Sequence, residues 1–236
     1  MGRGVLGVNR RGFALLGPLV LALAFSCAPA EAQSDYAPSS FRAEFWAESQ
    51  PVSGSGDPWP VPPEERARRI QEEAAWVYSG MIWGFEFSYT PYDKVRRIDE
   101  RFELTSLGSI RADDERLSFG PAKVKDEETR AFVAYRPLPA EEARVESYSG
   151  EPWRSSQGIG RADYILGWKG HRASYEDGLR EAVRELLRLI EPNKPRLVRG
   201  RVVFERVPPL ALDGGFYTCQ VRVRVEVSEI QRYEVY

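Results

Sequence analysis

Two cysteines and one histidine in 236 residues leave little material for metal or disulfide chemistry. A structural zinc site takes four Cys or His ligands, and a disulfide scaffold needs several cysteine pairs. A Ser-His-Asp triad would have to use His171, the single histidine, and no Gly-x-Ser-x-Gly elbow accompanies it. The Gly-x-x-x-x-Gly-Lys-Ser/Thr phosphate loop is absent, and Gly158-Ile159-Gly160 lacks the third glycine and the following helix of a dinucleotide site. Charge of one sign is also lacking: 33 basic residues against 35 acidic ones give −2, which argues against a nucleic-acid binder. Lysine is scarce, at five residues against 28 arginines. The apolar stretch Phe13 to Cys27 falls short of the roughly 20 residues of a membrane-spanning helix. From these absences no cofactor, metal or catalytic residue is assigned.

What the chain does have begins with an address. Arg3, Arg10 and Arg11 precede the apolar stretch, and small-residue cleavage sites follow it at Ala28-Pro29-Ala30 and Ala30-Glu31-Ala32. Residues 1–32 therefore read as an export signal peptide. Asn9-Arg10-Arg11-Gly12-Phe13 matches a twin-arginine signal as well as a general secretory one. Cys27, after Ala24-Phe25-Ser26, is a possible lipidation site of the bacterial lipoprotein kind. The expected location is periplasmic or secreted, or alternatively lipid-anchored at the outer membrane. Removing residues 1–32 leaves Cys219 as the one thiol, on the apolar side of an alternating strand, where an inert buried cysteine is expected.

Residues 33–62 are rich in Ser, Pro, Gly and Ala and read as a flexible tether. One island, Ser40 to Ala47, puts Phe41 and Phe45 on one face of a short helix, packed on the domain or docking a partner. Residues 63–236 read as a single α+β domain, with a possible subdivision near 147–160. A helix opens at Pro63, with Glu64 and Glu65 in its first turn and Ala67, Ile70, Ala74, Val77 and Met81 on its apolar stripe, and stops at Gly80. A strand with Trp83, Phe85, Phe87 and Tyr89 on one side follows. A second helix, Tyr175 to Ile190, is capped by Ser174 and Asp177. Tyr217, Cys219, Val221, Val223, Val225 and Val227 alternate with Thr218, Gln220, Arg222, Arg224 and Glu226, so one side meets a core and the other solvent or a partner. Together these elements predict an antiparallel sheet with the two main amphipathic helices packed on one face.

Gly158-Ile159-Gly160, the long amphipathic helix, Arg199-Gly200-Arg201-Val202-Val203 and the turn Gly214-Gly215-Phe216-Tyr217 form a recognisable sequence. Over residues 158–227 this resembles the α/β module of small bacterial envelope lipoproteins and flagellar outer-membrane accessory proteins. The resemblance implies a structural or assembly role without catalytic residues.

Binding residues are sought among the aromatics. Trp83, Phe85, Phe87 and Tyr89 read either as core or as a platform for sugar or peptide, and Trp153 and Trp168 as a rim beside the glycine-rich region. Glu86, Asp113, Asp114 and Asp163 are the acids available to a two-carboxylate hydrolase. His171 reads as a surface or capping residue. The expected function is that of an exported, non-catalytic cell-envelope protein that binds a partner or has a structural role. The alternative is a carboxylate-based envelope hydrolase or glycan-binding module. The expected partners are an envelope protein or a glycan, with no nucleic acid, and with membrane contact only through the signal or a lipid anchor.

Overall fold

The computed structural model describes residues 41–50, 54–125 and 127–233. Residues 1–32, read as an export signal with Cys27 in it, and the start of the segment read as a tether lie outside the described residues. The described residues from Phe41 onward belong to one compact unit. The fold is α+β, with antiparallel strands throughout the described sheets.

The strands divide between two sheets, where the order and alternation of the elements predict one. The smaller sheet joins β1 (Phe41–Glu48) to β6 (Glu128–Tyr135), which also pairs with β4 (Leu117–Phe119) and β5 (Lys123–Lys125). The larger has the order β3 (Arg101–Ser106), β2 (Phe85–Thr90), β8 (Leu197–Phe204), β10 (Phe216–Gln231), β7 (Arg154–Asp163), and β9 (Leu210–Asp213) pairs with the start of β10. The helices are α1 (Pro63–Ile82), α2 (Pro139–Ser147) and α3 (Trp168–Ile190).

β1 corrects two expectations. The island in the tether is a strand, not a helix, and it belongs to the domain. Its residues pair one for one with β6, from Phe41 opposite Tyr135 to Glu48 opposite Glu128. Phe41, Ala43, Phe45 and Ala47 are spaced two apart, the repeat of a half-buried strand. Phe41 and Phe45 both pack against Tyr78 of α1. The folded region thus starts inside the segment read as tether.

α1 begins at Pro63 as expected but runs past Gly80. Gly80 is small because the Phe204 and Phe85 rings lie against it. The helix ends instead at Gly84, whose φ of +71° suits a residue without a side chain. β2 accordingly starts at Phe85. α3 starts seven residues early, at Trp168, so Ser174 is not a cap. Its hydroxyl donates to the His171 carbonyl at 2.8 Å within the helix. The Asp177 carboxylate accepts from the Arg161 backbone N–H at 2.9 Å.

Glycine sets how closely α3 approaches the larger sheet. A Cβ on Gly160 would run into the Ser174 carbonyl and the Gly178 backbone, and one on Gly178 would lie 2.9 Å from Val221. α1 makes bulkier contacts: Trp76 packs on Phe85 at 5.1 Å and on Phe204 at 5.7 Å. Tyr78 reaches the other way and donates to the Val133 carbonyl of β6 at 2.7 Å. Among the described residues no helix is long and apolar enough to cross a membrane.

Candidate functional site

The most polar part of the core forms where the end of β1, the middle of α1, the first turns of α3 and the start of β10 meet. His171 is its centre and is 1% exposed. Its Nδ1 lies 2.8 Å from Glu73 of α1, and its Nε2 lies 3.1 Å from Glu48 of β1. Tyr175 donates its hydroxyl to the second oxygen of Glu73 at 2.7 Å, and Tyr217 donates to Glu48. Glu48 and Glu73 are each 7% exposed. Trp46, Trp168 and Tyr217 surround the imidazole, at 4.5, 4.6 and 4.7 Å between ring centres. The side chain expected at the surface is therefore among the most buried, because α3 starts early and turns His171 inward.

Electrostatics fix the protonation of this group. Burial works against a charge on His171, but the carboxylates of Glu73 and Glu48 outweigh it and lift the imidazole to about 9. Burial also raises Glu48, yet the hydrogen bond and charge of His171 and the Tyr217 hydroxyl prevail and hold it at about 2. Burial, then Glu73, pushes Tyr175 well above its ordinary value. Burial, then Glu48, does the same for Tyr217. The surroundings thus favour the imidazolium, the form that can donate from both nitrogens to carboxylates on two different elements. In that state it has no lone pair for a substrate proton or a metal. Among the described residues no cluster of three or more His, Cys, Asp and Glu is arranged to hold a metal ion.

A second shell of charge lies on the α1 side. Arg69, one helical turn before Glu73, bonds Glu65 at 2.9 Å and Asp57 at 2.5 Å, and its guanidinium lies 5.7 Å from the centre of the Trp168 ring. Four buried atoms of β1 and α1 have no hydrogen-bond partner: Oε2 of Glu48, Nε of Arg66, Nη1 of Arg69 and Nε1 of Trp76.

The cluster reaches the surface at one cleft, between α1 and the start of α3. It has a volume of ≈ 330 Å³ and is lined by Glu73, His171 and Tyr175 together with Trp76, Trp168, Lys169 and Arg172. Arg172 is bonded to Glu176 at 2.7 Å and lies 3.7 Å from the centre of the Trp76 ring.

Of the aromatics singled out from sequence, only Trp168 belongs here. Phe85, Phe87 and Tyr89 are buried core residues and form no platform. Phe87 stacks on Phe102, and Tyr89 donates to Glu100 at 2.7 Å. Trp83 closes the end of α1 and covers Gly108. Trp153 packs edge-on to Tyr148 at 4.6 Å, with Arg201 over it, away from the cleft. The four acids proposed for a hydrolase are dispersed. Glu86, Asp113 and Asp163 are exposed, and Asp114 pairs with Arg116. Cys219 is buried, as its place in the strand suggests, and burial pushes its thiol up to about 12.

The carboxylates that do converge beside Trp168 were not singled out from sequence. Glu73 adjoins the apolar stripe of α1 and reads as part of the wet face. Glu48 directly follows the Ser40 to Ala47 island, whose pairing with β6 has no local signal. Tyr217 was placed on the correct side of its strand, and only its acidic partner was missing.

One family model matches residues 26–233, and the chain belongs to that family, whose description states no activity. An uncharacterised protein of Treponema pallidum (strain Nichols) is similar to it, 25% identical over 197 residues that cover 81% of each chain. No solved structure matches.

Proposed function

We propose that this chain is an exported, non-catalytic cell-envelope protein that binds a partner. The observation that carries the reading is the burial of His171, the single histidine, with its two ring nitrogens facing Glu48 and Glu73. Both carboxylates favour its cationic form. The cluster ties four elements together, and an imidazolium at its centre has no lone pair to accept a proton. The cleft beside it is equally committed. Glu72 is bonded to Arg68, Glu176 to Arg172, and Glu73 to His171 and Tyr175. Carboxylates so engaged suit holding a ligand better than cycling a proton.

Residues 1–32 support export to the periplasm or beyond, with Cys27 as the site of a lipid anchor if the chain is not cut at Ala32. The likeness of residues 158–227 to envelope lipoprotein and flagellar accessory modules supports the same setting, by analogy of fold only. In this reading α1 and α3 share one face of the larger sheet. Phe85, Val202 and Val225 are directly opposed across β2, β8 and β10. Trp76 of α1 meets Phe85, and Gly178 of α3 meets Val221 on the same side of β10 as Val225. The opposite face, with Arg222, Arg224 and Glu226, is then open to a partner.

In-cell crosslinking of a C-terminally tagged chain, with mass spectrometry of the captured material and fractionation of the cell, tests the proposal. A reproducible envelope partner with the chain outside the cytoplasm is the expected result. A mature chain confined to the cytoplasm would remove it.

A further inference from the structure

We propose that the cleft between α1 and the first turns of α3 is a saccharide site, taking one or two neutral sugar rings. The inference rests on the binding reading above and names the ligand class. The volume, ≈ 330 Å³, lies at the lower end of the range of small-molecule sites. Its charges balance: Glu72, Glu73 and Glu176 face Lys169, Arg172 and His171. A strongly charged ligand would find no matching excess here. An apolar one would desolvate six ionisable side chains without replacing their hydrogen bonds. A sugar ring does neither, because it has an apolar C–H face for an indole and a rim of hydroxyls that both donate and accept.

The lining supplies each counterpart. The half-buried Trp168 and Trp76 give aromatic surface. Glu73 is a fixed acceptor, since Tyr175 and His171 each hold one of its oxygens and each oxygen keeps a further lone pair. Arg172, anchored through Nε to Glu176, retains N–H donors, and Lys169 makes no hydrogen bond or ion pair among the described residues. Because the floor is built from buried groups of α1 and α3, the site is formed before the ligand arrives, which lowers the cost of ordering it.

The test uses the processed full chain with two probes, the N-acetylglucosamine disaccharide and cellobiose, read by calorimetry and tryptophan fluorescence. Saturable binding of at least one probe is expected, weakened about fivefold or more by Lys169→Ala and by Trp168→Ala. Lys169→Ala removes a side chain with no hydrogen bond or ion pair among the described residues and should leave thermal unfolding unchanged. It therefore keeps the test valid if Trp168→Ala fails to fold. A Lys123→Ala variant, on exposed β5 and outside the cleft lining, should bind as the parent does. No saturable binding of either disaccharide, or binding indifferent to both cleft variants, overturns the saccharide site. Crosslinking an envelope protein with Lys169→Ala as efficiently as with the parent, while neither sugar binds, would leave the partner-binding reading standing and remove only this one.

Discussion

β10 carries ion-pairing chemistry on both of its sides, and the two sides teach different lessons. Inward, Tyr217 joins a cluster in which Glu48, His171 and Glu73 are buried. Outward, Arg224 meets Glu205 at 3.2 Å and Glu226 meets Arg201 across the strand, all in contact with water. The surface pairs gain little, because water screens them and two long side chains must be held still. The buried trio has no such screening. Breaking it strands a charge in the core, so it constrains the fold far more than its share of the contacts suggests.

The sharpest way to break this contrast is His171→Ala. It leaves Glu48 and Glu73 buried without their cation and should cost about 3–5 kcal/mol in urea or thermal unfolding. A loss no larger than that of a surface variant would mean that water reaches the cluster. Gly160→Ala attacks the same region through packing. The added methyl meets the Ser174 carbonyl and the Gly178 backbone, so the start of α3, which carries His171, must lift. A loss of about 3 kcal/mol is expected, together with a changed His171 environment by NMR.

The pH dependence of stability sharpens the contrast further. His171 is raised from 6.5 to about 9, so its contribution is complete below 6.5 and is lost as pH rises through 9. Glu48 is lowered from 4.5 to about 2, so its contribution is complete above 4.5 and is lost as pH falls toward 2. Stability from the cluster should therefore be greatest between pH 4.5 and 6.5 and fall by up to about 3 kcal/mol on the alkaline side. His171→Ala should abolish that alkaline slope. The smallest effect belongs to the outer face: Arg224→Ala should cost less than about 1 kcal/mol and should be insensitive to pH over the same range.

Much of the architecture was legible because it rests on local periodicity. Pro63 with two following glutamates marked the start of α1, and the two-residue alternation after Gly215 marked β10 and its inward face. Trp168 was flagged, and Cys219 was correctly placed inside. What escaped was non-local. β1 forms because β6, far along the chain, offers it a register, and its phenylalanines fit either period when read alone. The first turns of α3 carry Gly170, His171 and Ser174 where an apolar stripe would have announced a helix. The cluster itself joins residues 48, 73, 171, 175 and 217. Each reads as ordinary in its own neighbourhood, and only the packing of four elements makes them one group.

With one histidine in the chain, a single labelled side chain reports on the whole arrangement. The decisive measurement is a 15N NMR titration of His171 in selectively labelled protein. Both ring nitrogens protonated at pH 7, with a midpoint near 9, is the expected result. A neutral imidazole at pH 7 with a midpoint at or below 6.5 would show that His171 is not a cation held between Glu48 and Glu73, and the non-catalytic reading would lose its main support.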